Sequence, residues 1–161
     1  MSTSEPTFFD LQNNGCYGVD FNSDDLTAEQ LHEACVKLER DHVGGILATI
    51  ITAHRDRMMH RLSNLVKLRE RDPLAKKIIQ GIHIEGPFLN ETPGYKGAHL
   101  AEAMCPANVE YAKELLEAAG GLTRVLTLAP ERDPEMKTTR WLAKQNVTVS
   151  AGHCNASLDE L

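Results

Sequence analysis

Residues 81–90 read GIHIEGPFLN, and how this stretch is read decides the fold. Residues 81–85 have the character of a strand end. A carboxylate closes the run, and Gly86-Pro87 breaks the backbone at once. Strand side chains alternate between faces, so Gly81, His83 and Glu85 share one side while Ile82 and Ile84 take the other. The apolar face suits packing against helices, and the polar face suits the inside of a barrel.

Outward from this stretch, strands and helices alternate. FFDLQNNG (8–15) reads as a short strand ending in turn residues, with Asp10, Gln12 and Asn14 on one face against Phe9 and Leu11. Thr27 opens a helix through a capping box with Gln30, followed by Leu31, Ala34, Cys35 and Leu38 at helical spacing. GGILATII (44–51) is a wholly apolar run, the pattern of a strand covered on both faces. A helix from about His54 to Glu70 follows, and then KIIQGIHIEG (77–86) as the third strand. A loop punctuated by glycine and proline runs from Gly86 to about Cys105. Pro106 is predicted to open a helix that stops at Gly120-Gly121. RVLTLAPE (124–131) is the fourth strand. Asp133 and Pro134 are predicted to cap and open the next helix, VTVSAGH (147–153) is the fifth strand, and NASLDEL (155–161) is expected to begin a helix.

Four βα units with a fifth begun make an α/β chain with a parallel sheet, either doubly wound or part of a (β/α)8 barrel. A complete barrel takes roughly 250 residues. The 161 residues therefore predict a partial (β/α)8 TIM barrel over residues 1–161, about the first five units, ending before strands six to eight.

Composition narrows the function classes. A hydrophobic content of 42% supports one modest core, and a formal net charge of -6 argues against nucleic acid or an anionic membrane as partner. No apolar run approaches the roughly 18 residues of a membrane span. The N-terminal MSTSEPTFF lacks the basic and apolar regions of a signal peptide, so a cytoplasmic location is expected. Cys16, Cys35, Cys105 and Cys154 have no CxxC spacing, which predicts reduced thiols rather than a zinc ribbon or a disulfide framework.

Gln12, Asn14, Glu85 and His153 all fall at C-terminal strand ends, where parallel α/β folds place their active sites. A carboxylate and an imidazole meeting there could hold a divalent metal, with zinc the first candidate. Taken alone, however, Glu85 better suits a solvated loop charge, and His153 suits a turn residue as well as a ligand. His83, one layer deeper, reads as a hydrogen-bonded interior histidine. His32, His42, His54 and His60 read as surface groups, and Cys154 as a small packing residue.

Five stretches together resemble the N-acetylglucosamine-6-phosphate deacetylases of the amidohydrolase superfamily. They are DLQNNGCYGVDFN (10–22), GIHIEGPFLN (81–90), KGAH (96–99), TLAPE (127–131) and VSAGHCNAS (149–157), in the family's order and at about its spacing from Phe8 onward. The resemblance implies that Glu85 and His153 are metal ligands. Where many amidohydrolases carry His-x-His on the first strand, this chain has Gln12-Asn13-Asn14, which implies vestigial second-metal positions and a single ion. Zinc is the expected ion, with iron or another divalent cation as the alternative. His99 resembles the histidine that polarises the substrate's acetyl carbonyl, with Ala98 beside it lining the sugar site.

The implied reaction is hydrolysis of N-acetylglucosamine 6-phosphate to glucosamine 6-phosphate and acetate, in an enzyme expected to be a homo-oligomer when whole. The family's second metal histidine, its Asp acting as base and acid, its phosphate-gripping loops and an Arg from a neighbouring subunit have no counterpart in the chain. Neither has its small β-sandwich. The isolated 161-residue chain is thus expected to be inactive. Two alternatives are a non-catalytic half-barrel that oligomerises or binds sugar phosphate, and an amidohydrolase acting on another amide.

Overall fold

The structure is a computed structural model that describes residues 8–161, so the first seven residues of MSTSEPTFF lie outside the described residues. In chain order the elements are β1 (Phe8–Asn13), a small hairpin of β2 (Gly15–Cys16) and β3 (Val19–Asp20), and α1 (Ala28–Arg40). Next come β4 (Val43–Ile51), α2 (Arg55–Glu70), α3 (Pro73–Ile78) and β5 (Ile79–Glu85). The chain goes on through α4 (Val109–Ala118), β6 (Thr123–Leu128), α5 (Lys137–Lys144) and β7 (Thr148–Ala151). The five long strands pair in parallel in the order β1-β4-β5-β6-β7 and curl into half of a barrel, with helical crossovers between them. The expected partial TIM barrel is what forms.

Alternation along the strands separates two chemistries. Ile46, Ala48 and Ile50 of β4, Ile82 and Ile84 of β5, and Leu126 and Leu128 of β6 join one buried apolar cluster with the helices. Leu31, Ala34, Cys35 and Leu38 bring α1 to it, and Met58, Leu62 and Leu65 bring α2. The other face of the same strands carries Thr49, His83, Glu85 and Thr127, all buried polar groups. Register aligns Ile51, Glu85 and Thr127 across β4, β5 and β6, so their C-terminal ends form one rim.

The α1 capping box forms as predicted, with Gln30 N–H donating to Thr27 Oγ1 at 3.3 Å and Thr27 N–H to Gln30 Oε1 at 2.9 Å. Other boundaries differ. Lys77 and Ile78 end α3 instead of starting the third strand, because Asp72 caps that short helix through Leu74 N–H (2.8 Å) with Pro73 at its first turn. The helix expected from Pro106 begins at Val109, since Asn108 Oδ1 takes the Tyr111 N–H (2.9 Å) and Ala107 N–H is spent on the Arg132 carbonyl (2.7 Å). Asp133 does cap, but it accepts the Thr138 and Thr139 amides at 3.0 and 2.7 Å, so α5 starts at Lys137 after two 3₁₀ turns. The predicted C-terminal helix is a turn, in which Ser157 N–H and Oγ–H both bond Glu160 Oε2.

Candidate metal centre

Glu85 is the last residue of β5, and its side chain is 8% exposed. Thr52 Oγ1–H donates to its carbonyl (3.1 Å), and the next amide, Gly86 N–H, donates to Thr127 O (3.0 Å). The carboxylate is thus held at the rim by the strands on either side. Gly86 then turns the chain away with φ +87, a left-handed conformation that glycine adopts without a Cβ penalty.

The loop after Gly86 is closed at its base by Cys105 N–H bonding Pro87 O (3.1 Å), and it folds back over the rim. It delivers His99, 6% exposed, with Nε2 3.7 Å from Glu85 Oε1. His153 comes from the opposite side, after β7, with Nε2 3.1 Å from the same oxygen. The two imidazoles meet edge to face, with centroids 4.4 Å apart. One ligand atom from each of Glu85, His99 and His153 lies within 4.8 Å of the others, the one such grouping of His, Cys, Asp and Glu among the described residues.

Hydrogen bonding fixes how His153 presents itself. Its Nδ1 lies 2.9 Å from the Tyr95 carbonyl, and a carbonyl only accepts, so Nδ1 carries the proton. In the neutral ring Nε2 is then a lone pair facing a carboxylate oxygen. Two acceptors so close repel unless a proton or a cation sits with them. An imidazole whose Nδ1–H is bound to a backbone carbonyl is also how proteins commonly orient a metal-binding histidine. His99 Nδ1 is buried with no partner, a second polar atom left for something the protein itself does not supply.

Electrostatics agree. Burial is the largest influence and works to raise the Glu85 pKa, but the His99, His153 and His83 imidazoles together outweigh it. The carboxyl therefore sits below its ordinary range and is ionised at neutral pH. Nitrogen, nitrogen and carboxylate oxygen form a donor set that fits a divalent cation of borderline softness.

The other sequence candidates fall as follows. His83 is the interior histidine expected, bonded to Thr127 Oγ1 (2.7 Å) and Thr49 Oγ1 (3.4 Å). Burial depresses its pKa despite the nearby Glu85 charge. Ala98 is exposed next to His99. Gln12 and Asn14 are exposed on and just after the edge strand β1. Gln12 N–H bonds Asp10 Oδ1 (2.9 Å) and the Asn14 carbonyl accepts from Phe21 N–H (3.0 Å). The alternation predicted for β1 does not sort into a buried and an open face, because Phe9 and Leu11 are also exposed, at 47% and 63%. A strand paired on one side only has too few neighbours to cover either face. Sequence reading missed Tyr95 and Thr52, whose contributions are a backbone carbonyl and a bond to one, neither of which has a residue-type signature.

No family model matches the chain. The N-acetylglucosamine-6-phosphate deacetylase of Bacillus subtilis is 33% identical over 153 residues, 94% of this chain and 38% of that protein. An N-acetylgalactosamine-6-phosphate deacetylase of Escherichia coli O157:H7 is 29% identical over 152 residues, 39% of its length. The crystal structure of N-acetyl-D-glucosamine-6-phosphate deacetylase from Mycobacterium smegmatis superposes with a TM-score of 0.83 at 28% identity, over 96% of this chain and 39% of that one. A mutant of that enzyme, solved in complex with N-acetyl-D-glucosamine-6-phosphate, matches equally well, at a TM-score of 0.83. The chain spans about two-fifths of the length of the relatives it matches. The likeness runs nearly end to end along this chain in both sequence and backbone, so over the two-fifths of their length that it spans the chain is similar to the N-acetylglucosamine-6-phosphate deacetylases.

Proposed function

We propose that this chain is the metal-binding arc of an enzyme that hydrolyses the acetamide of N-acetylglucosamine 6-phosphate to glucosamine 6-phosphate and acetate. The observation that carries the reading is the convergence of Glu85, His99 and His153 on one rim. Glu85 and His153 hold the ion, which we take to be a single zinc, with Gln12 and Asn14 at vestigial second-metal positions. When bound, such an ion lowers the pKa of a water toward about 7 and so supplies hydroxide at neutral pH.

His99, beside Glu85 and His153, is assigned the hydrogen bond to the acetyl carbonyl as charge develops there rather than a place on the ion, a role whose loss costs roughly 3–4 kcal/mol in related settings. Ala98, exposed next to His99, is assigned to the wall of the sugar site. In the reaction the amide C–N bond breaks, the water oxygen joins the acetyl carbon, and its proton passes to the leaving amine through a base outside these three residues. The 161 residues alone are therefore expected to bind the ion but to release acetate only at background rates. A cytoplasmic homo-oligomer with reduced thiols completes the proposal, and all four cysteines are free. No helix of the described residues is long and apolar enough to cross a membrane.

Metal content tests the ligand assignment. Elemental analysis of Glu85→Gln is expected to show metal loading at least about tenfold below wild type, since an amide is a weak neutral ligand. Equal loading would overturn it. For the substrate, this arc can replace the matching arc of the Bacillus subtilis relative and the chimaera be assayed for acetate release. Activity on N-acetylglucosamine 6-phosphate above that on its galactosamine epimer and on the unphosphorylated sugar is expected. Activity on another amide alone would refute the substrate.

A second reading is favoured by one observation. Phe8, Phe9 and Leu11 leave apolar side chains 73%, 47% and 63% exposed on an edge strand, as a half-barrel that self-associates would.

A further inference from the structure

Glu131 stands outside the metal grouping yet touches both segments that hold His153. It lies in the 3₁₀ turn just beyond β6. Its Oε1 accepts two hydrogen bonds, from Asn90 Nδ2 at 2.8 Å and from Asn155 N–H at 2.6 Å. Asn155 is two residues past His153, and Asn90 belongs to the loop that follows β5. Asn90 N–H in turn donates to the His153 carbonyl (3.0 Å), while Asn90 Oδ1 accepts Thr92 N–H (2.9 Å) and so shapes the turn leading to Tyr95. Tyr95 supplies the carbonyl that fixes the His153 ring.

Holding His153 needs such a clamp. The residue has φ +50, a left-handed conformation that a side chain with a Cβ adopts only where its surroundings impose it. The Tyr95 loop also presses close, since a Cβ at Gly97 would lie 2.9 Å from His153 Cε1. Glu131 Oε2 is buried without a partner, so all of the carboxylate's protein bonds pass through Oε1 to these two segments.

We propose that Glu131 is a positioning residue of the metal centre: by joining the tips of β5, β6 and β7 through one oxygen, it sets the tautomer and direction of the His153 ring. This rests on the metal-centre reading above. The orientation of a ligand by groups behind it typically contributes 10- to 100-fold in metal affinity.

The test titrates zinc by calorimetry into the wild-type chain, Glu131→Ala, Glu131→Gln and Asn90→Ala, and records the side-chain 15N shifts of His153 in each without metal. Glu131→Ala is expected to bind zinc about 10- to 100-fold more weakly, with the His153 nitrogens moving toward tautomer averaging. Asn90→Ala is expected to shift both readouts the same way. Glu131→Gln, whose amide oxygen still accepts, should stay within about threefold of wild type. A folded Glu131→Ala with unchanged affinity and unchanged His153 shifts overturns the proposal, as does Glu131→Gln as weak as Glu131→Ala. Should Glu131→Ala fail to fold, Asn90→Ala decides by the same criteria. Should the wild type bind no zinc, the metal-centre reading falls, and the His153 shifts alone judge the clamp.

Discussion

At Gly86 the backbone leaves β5 in a left-handed turn, and a Cβ built there would lie 2.1 Å from Thr52 Oγ1, the hydroxyl that bonds the Glu85 carbonyl. Gly86→Ala therefore meets both a steric clash and an unfavourable φ. It is expected to cost at least about 2 kcal/mol in urea unfolding, and to weaken metal binding because it disturbs Glu85 directly. A second residue-scale expectation concerns Cys35, fully buried in α1. Burial first, then the charges of Asp72 and Cys16, push its thiol up to about 12. Only the thiolate is a strong nucleophile, so iodoacetamide at pH 8 should leave Cys35 unmodified in the folded chain and alkylate it once denatured. Mass spectrometry of the labelled peptides reads the difference, and folded-state labelling at Cys35 would mean that α1 opens.

Among the elements, α3 shows how a cap reaches beyond its own helix. Asp72 caps it through Leu74 N–H and also pairs with His32 Nδ1 of α1 at 2.7 Å. Burial raises the Asp72 pKa, but the His32 bond and the Leu74 and Ala75 amides outweigh it, and the carboxyl lies below its ordinary value. A carboxyl depressed in the folded state adds stability above its unfolded pKa, near 4, and that stability is lost as pH falls through the folded value. Wild type should thus lose more stability than Asp72→Asn between about pH 5 and 3 in denaturant titrations. Parallel curves would remove the linkage. Sequence reading recognised the Thr27 capping box and the Gly120-Gly121 stop, because both are signalled within four residues. It misplaced the start of α5, where the Asp133 carboxylate skips the 3₁₀ turn of Pro134–Met136 to reach Thr138 and Thr139.

At the scale of the molecule, β1 and β7 border the sheet, and β1 exposes Phe8 and Leu11. Edges of this kind recruit partners unless charged or covered. The chain is expected to sediment above its 17.8 kDa monomer mass at micromolar concentration, and Phe8→Lys with Leu11→Lys to shift it toward the monomer. A wild type that stays monomeric would show that this edge needs no partner.

Alternation along 81–85, the apolar run at 44–51 and the repeated βα pattern were enough, from the residues alone, to establish a parallel α/β sheet with polar groups at its strand tips. Periodicity is a local property, and it survives in one dimension. That Glu85 and His153 meet, with Nε2 and Oε1 3.1 Å apart, is a different kind of fact. They are 68 positions apart, joined by a loop that carries His99 back over the rim and by a carboxylate, Glu131, that no spacing distinguishes. Which lone pair of His153 faces inward depends on the Tyr95 backbone oxygen, a group that every residue possesses. Only the folded chain, by bringing that oxygen to that ring, decides it.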